Sequence, residues 1–211
     1  MKKYVNLFVF VFMIGACLSQ GRAQTKSAVS YKNPVVDIAM PDPTVIKAAD
    51  GYFYVYATES TRNVPIMKSK DLVEWTYCNT AFTNKTRPRF EPKAGIWAPD
   101  INYINGKYVL YYAMSVWGGE QTCGIGVATA NSPQGPFTDH GKMFRSNEIG
   151  VQNSIDPSLL QYEGRNYLVW GSFRGIYVIE LTADGLSIMP GAKKKRIAGT
   201  AFEAVYIHKH D

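Results

Sequence analysis

Apolar and polar residues alternate over short distances along most of this chain, and runs rich in aromatic residues lie among the alternating stretches. Glycine, proline and asparagine separate the runs from one another. Alternation with a period of two is typical of β-strands that bury one face. No window of about a dozen residues carries a helical period. The pattern therefore predicts an all-β fold, and 14 Tyr, 10 Phe and 4 Trp are available to fill its core.

One layout recurs along the chain, in which an acidic residue at a turn precedes an aromatic-rich strand. In the first copy, Asp42 stands between two prolines, which restrict the backbone on both sides of the acid. The copies recur at intervals of roughly 47 to 58 residues, which is the range of propeller blades rather than of helical repeats. The acid-bearing turns lie at 40–46, 99–104, 156–160 and 203–207, and strands follow the first three at 51–57, 106–113 and 164–171.

These repeats predict three blades and the start of a fourth. We expect the strands of the first blade at 44–47, 51–58, 64–69 and 73–78, the second blade at about 100–140 and the third at about 156–190. Equivalent positions of successive blades converge on one end of a propeller's channel. The acids that head the copies, namely Asp42, Asp100, Asp156 and Glu203, are therefore expected to meet in one pocket.

The N-terminal segment reads as a secretory signal over residues 1–23, because two lysines precede an apolar run that is too short to span a bilayer. Two processing routes are open. Residues 14–17 resemble a lipobox, which would make Cys17 a lipidated N-terminus and its only link to a membrane, whereas the small Ala23 before Gln24 suits ordinary cleavage. The sequence thus predicts a secreted, periplasmic or bacterial outer-membrane lipoprotein.

The net charge and the cysteine content limit the kinds of partner and site that the sequence predicts. The net charge is +6, but the lysine-rich run at 193–196 and the signal lysines supply much of it, so a solvated loop is favoured and nucleic acid is not an expected partner. Cys78 and Cys123 either pair in an oxidising compartment or remain as two buried thiols, and their spacing is not that of a metal site.

A pocket lined by carboxyl groups has the components of glycosidic-bond hydrolysis. One carboxylic acid gives a proton to the leaving oxygen, and one carboxylate draws a proton from water. Each Asp-Pro pair alone is a common turn former and carries little weight. The acids as an ordered set, combined with a secretory signal and aromatic-rich strands, carry much more weight as evidence of function.

Five segments together resemble glycoside hydrolase family 43, and its arabinanase-type members above all; they lie at 41–46, 95–101, 154–159, 171–173 and 199–204. The resemblance covers residues 33–211 and implies a catalytic domain with a five-bladed β-propeller fold. It implies that Asp42 is the general base, Glu203 the general acid, and Asp156 the third acid, which orients Glu203 and modulates its proton affinity. An inverting hydrolase that needs no cofactor for its chemistry follows from the same likeness.

Sugar binding should rest on aromatic faces, and Trp97 and Trp117 flank turns that are expected to face the pocket. Trp97 is equally suited to packing between blades, whereas Trp117 stands in a glycine-rich turn, where aromatic residues are often exposed. The arabinanase-like pattern adds Asn153 and Ser172 as polar neighbours of the substrate. Trp75 and Trp170 are expected to pack in the core or between blades.

The length of the chain departs from the family, since residue 211 falls just inside the fourth of five blades. We expect the catalytic domain to be incomplete at its C-terminal side. Arabinanase-like relatives often carry a calcium ion on the propeller axis through a histidine of a later blade, and His140, His208 and His210 do not match it.

Three functional hypotheses remain. The first is a hydrolase of α-1,5-linked L-arabinan from plant cell walls, with endo or exo action open. The second is a β-xylosidase or α-L-arabinofuranosidase of the same family. The third is a non-catalytic sugar-binding propeller or an inert remnant, against which the presence of all three acids argues.

Overall fold

The structure is a computed structural model that describes residues 30–208. The predicted signal at 1–23, Cys17 with its lipobox, and His210 lie outside the described residues. No helix in the described part of the chain is long and apolar enough to cross a membrane.

The described residues form three four-stranded antiparallel sheets, and each sheet, called a blade below, takes its strands in chain order. A single short helix, α1 (Ser146–Ile149), follows the second blade within residues 30–208. The all-β prediction is confirmed. Blade one contains β1 (Thr44–Lys47), β2 (Phe53–Tyr56), β3 (Pro65–Ser69) and β4 (Thr76–Thr80); blade two β5 (Gly95–Ile104), β6 (Lys107–Ser115), β7 (Gly124–Ala130) and β8 (Thr138–Arg145); blade three β9 (Ser158–Tyr162), β10 (Arg165–Ser172), β11 (Gly175–Leu181) and β12 (Lys195–Ala198).

Several predicted boundaries were wrong. Blade two begins at Gly95 and ends at Arg145, outside the expected 100–140, because β5 pairs with β6 on both sides of an irregular stretch between Trp97 and Asp100. The outer strand of blade three, β12, lies beyond the expected end at 190. The fourth copy at 203–207, predicted as an acid-bearing turn, contains no strand within the described residues.

Two tight turns fix the register of the inner strands. Asn105 and Gly106 join β5 to β6, and Glu163 and Gly164 join β9 to β10, and all four residues have positive φ. A two-residue turn of this kind matches the twist of the strands that it connects. A slip of one residue would turn every side chain to the opposite face. These turns therefore decide which inner-strand residues face the channel.

Two apolar clusters fill the spaces between neighbouring blades. Phe82 and Tyr112 meet edge to face between blades one and two, with ring centroids 5.7 Å apart. Phe144 and Trp170 lie 5.1 Å apart between blades two and three, so Trp170 is a core residue as expected. Because blade two packs on both faces, β6 and β7 are buried along nearly all of their length. This packing holds the three inner strands around a common channel.

Candidate active site

Two acids share an unusual backbone conformation just before an inner strand. Asp42 and Asp156 have φ values of 50° and 56°, in the left-handed region that residues other than glycine seldom adopt. The proline that follows each acid disfavours the right-handed helical region for it. Left-handed residues other than glycine cost free energy and are often found at functional sites. The shared conformation therefore marks Asp42 and Asp156 as equivalent positions and as candidates for function.

Blade two departs from this pattern. Its left-handed residue is Ala98, with φ 37°, and after this irregularity the pairing resumes at Asp100, whereas pairing begins at Thr44 in blade one and at Ser158 in blade three. The prediction that Asp100 heads its copy was wrong by two residues. Blade two has an Ala-Pro pair where the other blades have Asp-Pro, so the strand carries its acid further along.

The fourth copy also differs from the prediction. Its left-handed residue is Ala204, with φ 53°, and Glu203 stands one position before it. Glu203 therefore does not occupy the position of Asp42 and Asp156 within the repeat. Its carboxylate nevertheless reaches the same region, as its contacts show.

Hydrogen bonds hold the Asp156 and Glu203 carboxyl groups in the same region of the structure. The Ala204 N–H donates a hydrogen bond to Asp156 Oδ2 at 3.2 Å, and Ser172 Oγ donates to Glu203 Oε2, also at 3.2 Å. Burial raises the pKa of Asp156 to about 7, and the negative charges of Glu203 and then Asp42 add to the rise. The structure thus brings together the three acids that the sequence singled out, and Ser172 contacts one of them.

Asp42 is held by a residue that the sequence analysis missed. Thr58 Oγ1 donates a hydrogen bond to Asp42 Oδ2 at 2.6 Å, and the Ala98 N–H donates to Thr58 Oγ1 at 2.6 Å. The Asp42 side chain is exposed, so water has access to its carboxylate. The register of β1 and β2, continued by two residues, places Thr58 across from Asp42, and the residue types around Thr58 do not reveal this pairing.

Asp100 is buried inside the channel lining, whereas Asp42 and Glu203 are exposed and Asp156 is half-buried. Its Oδ2 accepts hydrogen bonds from the Leu159 N–H and Asn102 Nδ2, both at 2.7 Å, and its Oδ1 accepts one from Thr44 Oγ1 at 3.3 Å. Burial raises the pKa of Asp100 to about 6, although these hydrogen bonds oppose the rise. Asp100 therefore joins the inner strands of all three blades.

A cavity of about 750 Å³ runs along the inner strands. Asp42 and Asp156 line it just before the inner strands of blades one and three, and Ala98 lines it at the matching position of blade two. Glu203, the two candidate tryptophans, Asn153 and Ser172 lie outside its lining. The acids therefore stand where the cavity meets the loops.

Trp97, which directly precedes Ala98 in the chain, forms an aromatic pair with Trp117. Their ring centroids are 5.4 Å apart with an interplanar angle of 53°. Trp117 is 94% exposed, as its glycine-rich turn predicted, whereas Trp97 is half-buried and packs against a small cluster that includes Ala113 and Ile155. Trp97 thus packs against the interior and also forms part of the surface. Together with Trp117 it makes an exposed aromatic surface, called the aromatic wall below. Trp75 lies away from this pair, half-buried in a surface loop, where its Nε1 donates to Leu72 O.

The loop that follows Trp117 is tied to blade three. Arg174 and Gln152 both donate hydrogen bonds to Glu120 Oε2, at 3.0 and 2.6 Å, and the Asn153 N–H donates to Glu120 O at 2.7 Å. Asn153 itself is half-buried, and its side-chain oxygen faces the Cys123 thiol at 3.9 Å. A direct contact of Asn153 with substrate stays a prediction. Cys78 and Cys123 are both free thiols, so the disulfide alternative was wrong.

No group of three His, Cys, Asp or Glu side chains within residues 30–208 is placed to hold a metal ion. His140 Nε2 lies 2.8 Å from Thr129 Oγ1, and His208 is exposed.

A family model described as glycosyl hydrolases family 43 matches residues 31–211. Extracellular endo-α-(1→5)-L-arabinanase 1 of Bacillus subtilis (strain 168) is 38% identical over 140 residues, which are 63% of this chain and 43% of that protein. Two solved structures of arabinanases also resemble this chain in fold.

The α-L-arabinanase of Cellvibrio cellulosa, solved in complex with arabinohexaose, is 26% identical with a TM-score of 0.67, over 80% of this chain and 58% of that one. An exo-1,5-α-L-arabinanase from a bovine ruminal metagenomic library is 30% identical with a TM-score of 0.62, over 78% of this chain and 57% of the other. This chain spans about half the length of these relatives.

Proposed function

Because this chain belongs to glycosyl hydrolases family 43, we propose that its protein is a secreted glycosidase that hydrolyses α-1,5-linked L-arabinan. The resemblance read from the sequence is confirmed, and the three four-stranded sheets are blades of the five-bladed β-propeller of its arabinanase relatives. The observation that carries the proposal is that three carboxyl groups lie close enough together to interact. The negative charges of Glu203 and Asp42 both raise the pKa of Asp156.

The three acids divide the chemistry between them. Asp42, exposed to water, acts as general base and draws a proton from the attacking water molecule. The oxygen of that water bonds to the anomeric carbon while the glycosidic bond breaks. Glu203 acts as general acid and gives its proton to the departing sugar oxygen. One water is consumed, and the configuration at the anomeric carbon inverts.

Asp156 supports the acid rather than touching the bond that breaks. A carboxyl group beside another carboxyl group holds its proton more tightly, because two adjacent negative charges repel. Burial is the larger cause of the rise in the pKa of Asp156 to about 7, and the negative charge of Glu203 adds to it. Ser172 fixes one Glu203 oxygen and leaves the other for the proton transfer.

The substrate assignment rests on the relatives and on the aromatic pair. The relatives are named as arabinanases, one of them solved with arabinohexaose. Trp97 and Trp117 offer faces on which pentose rings stack. The Asn153 N–H is hydrogen-bonded to Glu120 in the loop that follows Trp117. Relatives with endo and exo names both match, so we assign the linkage and leave the mode of cleavage open.

Secretion and cofactor use complete the proposal. The Bacillus relative is named as extracellular, which agrees with a signal at residues 1–23, and Cys17 is the candidate site of a lipid anchor. Mass spectrometry of the mature N-terminus distinguishes a chain that begins near Gln24 from one that begins with lipidated Cys17. We propose that the hydrolysis itself needs no cofactor; any structural calcium would take its ligands from residues beyond those described.

The test uses the full-length protein that contains this chain. We expect it to release reducing ends from debranched arabinan but not from xylan, and to form the β-anomer first, as followed by proton NMR. Asp42→Asn and Glu203→Gln should each abolish turnover without a change in the unfolding temperature. Preference for xylan would favour the β-xylosidase alternative, and cleavage of single arabinose side chains the arabinofuranosidase. Sugar binding without turnover would leave a binding propeller.

A further inference from the structure

We propose that Thr58 is a positioning residue that holds the Asp42 carboxylate in the orientation needed to activate water. The inference rests on the proposed function and adds a residue to it. Its basis is the pair of 2.6 Å hydrogen bonds through the Thr58 hydroxyl, to Asp42 on one side and from the Ala98 N–H on the other.

The strand register brings the two side chains together. In blade one, Thr44 pairs with Tyr56 across β1 and β2, and the antiparallel ladder continued by two residues places Thr58 opposite Asp42. The Thr58 N–H donates to Pro41 O at 2.9 Å, one residue out of that register, so the two segments stay hydrogen-bonded beyond the ends of β1 and β2. Side chains directly opposite each other on antiparallel strands are close enough for direct contact.

The backbone amide decides the direction of the hydroxyl proton. A threonine hydroxyl has one proton to donate and two lone pairs to accept with. The Ala98 N–H occupies a lone pair of Thr58 Oγ1, and Asp42 Oδ2 lies at donor distance on the other side. The proton therefore points at Asp42. This bond fixes Oδ2 and leaves Oδ1 as the oxygen that receives the proton from water.

The loop that carries Thr58 is itself fixed at several points. Ser60 Oγ donates to Ala39 O at 2.6 Å, and the Glu59 N–H donates to Ile96 O at 3.1 Å. The Glu59 carboxylate forms a buried bidentate ion pair with Arg87. Because these contacts restrain the loop, the Thr58 hydroxyl has little freedom to move away from Asp42. The hydrogen bond therefore restrains the Asp42 carboxylate as well.

Blade three indicates that the fold does not need this hydroxyl. There Gly171 lies opposite Asp156, and the Gly171 N–H donates to Ile155 O at 3.0 Å, as the Thr58 N–H does to Pro41 O. The same backbone hydrogen bond is thus formed without any side chain at the position. Asp156 is instead held by the Ala204 N–H. The Thr58 hydroxyl therefore serves the acid of blade one in particular.

The test compares Thr58→Val and Thr58→Ala with Thr58→Ser in the full-length protein on debranched arabinan. We expect kcat to fall about 10- to 100-fold in the first two variants with KM within about 2-fold, since a misplaced catalytic group slows the chemical step. Thr58→Ser keeps the hydroxyl and should retain at least about half of kcat. Thr80→Val is the matched control, because Thr80 also donates a 2.6 Å hydrogen bond but to Phe82 O, away from the acids.

Crystal structures of the same variants give a readout that does not depend on activity. The Asp42 carboxylate should keep its orientation in the wild type and in Thr58→Ser, and should rotate away in Thr58→Val or Thr58→Ala. An unchanged kcat, or an unmoved carboxylate, in the hydroxyl-free variants would overturn the inference. An inactive wild type would instead overturn the proposed function, while the crystal structures would still decide the role of Thr58.

Discussion

The Leu159 N–H of blade three donates a 2.7 Å hydrogen bond to the Asp100 carboxylate of blade two, inside the channel lining. Asp100 is 6% exposed, so the bond joins two inner strands where water has little access. A carboxylate in such a place is costly when it is ionised. The relationship therefore makes the stability of the blades depend on pH.

Replacing Asp100 with Asn should stabilise the protein at high pH. The folded pKa of about 6 lies above the ordinary value of 3.8, so the favourable contribution of the protonated acid is complete below about pH 4 and is lost as the pH rises through about 6. Asn keeps the shape without ionising. We expect equal unfolding free energies at pH 4 and a gain of up to about 3 kcal/mol for the variant at pH 8. Urea unfolding at both values measures this, and a variant that is less stable at pH 8 would contradict it.

Asp100 also shows how far the sequence predicts this site. The repeat of acid, turn and strand was enough to predict an all-β propeller and to select Asp42, Asp156 and Glu203, which the structure brings together. The expectation of an acid at the head of every copy was wrong because Ala98 occupies that position in blade two. Left-handed backbone and irregular pairing decide the true equivalence, and neither is visible in residue types alone.

Thr58 was missed for a related reason. Its role depends on pairing across a hairpin and on an N–H of the next blade, and no local pattern around the residue encodes either. The extended outer strand β12 escaped prediction because the chain reaches it through a long connection after β11. The role of Thr58 and the position of β12 depend on contacts between distant segments rather than on strand propensity, so the sequence analysis did not predict them.

Replacing Glu203 with Gln should lower the pKa of Asp156 from about 7. The charge of Glu203 is one cause of the elevated value, but burial is the larger cause, so we expect the pKa to stay above the ordinary 3.8. Asp42→Asn should lower it less. Carbon NMR of labelled Asp carboxyl groups measures the titration in each variant. A titration of Asp156 that ignores Glu203 would contradict the coupling on which the proposed site depends.

Replacing Trp117 with Ala should weaken substrate binding without lowering stability, because the side chain is 94% exposed. We expect the Kd for arabinohexaose, measured by calorimetry on the inactive Glu203→Gln background, to rise about 2- to 10-fold, the worth of one stacking contact. Trp97→Ala should raise Kd and also lower the unfolding temperature, since Trp97 is half-buried. Trp75→Ala is the control, and it should affect stability alone. Unchanged affinity in both site variants would remove the aromatic wall from the proposal.

Replacing Arg87 with Met should destabilise the protein strongly at neutral pH. Burial acts to raise the pKa of Glu59, but hydrogen bonds from Arg87 and from two backbone N–H groups outweigh it, so the pKa lies below its ordinary value of 4.5. The pair therefore contributes stability above pH 4.5 that is lost as the pH falls through the folded value. Their side chains are only 6% and 9% exposed, and an unpaired buried carboxylate costs about 3–5 kcal/mol.

Arg174→Met is the matched control for that loss, because its partner Glu120 and Arg174 are 35% and 50% exposed and such pairs contribute about 1 kcal/mol or less. Urea unfolding at pH 7 should separate the two variants clearly, and the deficit of Arg87→Met should shrink below pH 4.5, where Glu59 can take up a proton instead of remaining an unpaired charge. Because the Glu59–Arg87 pair also anchors the loop of Thr58, Arg87→Met should lower kcat as well, whereas Arg174→Met should not affect the Asp42 side of the site. Equal losses of stability in both variants would mean that the buried pair does not anchor this loop.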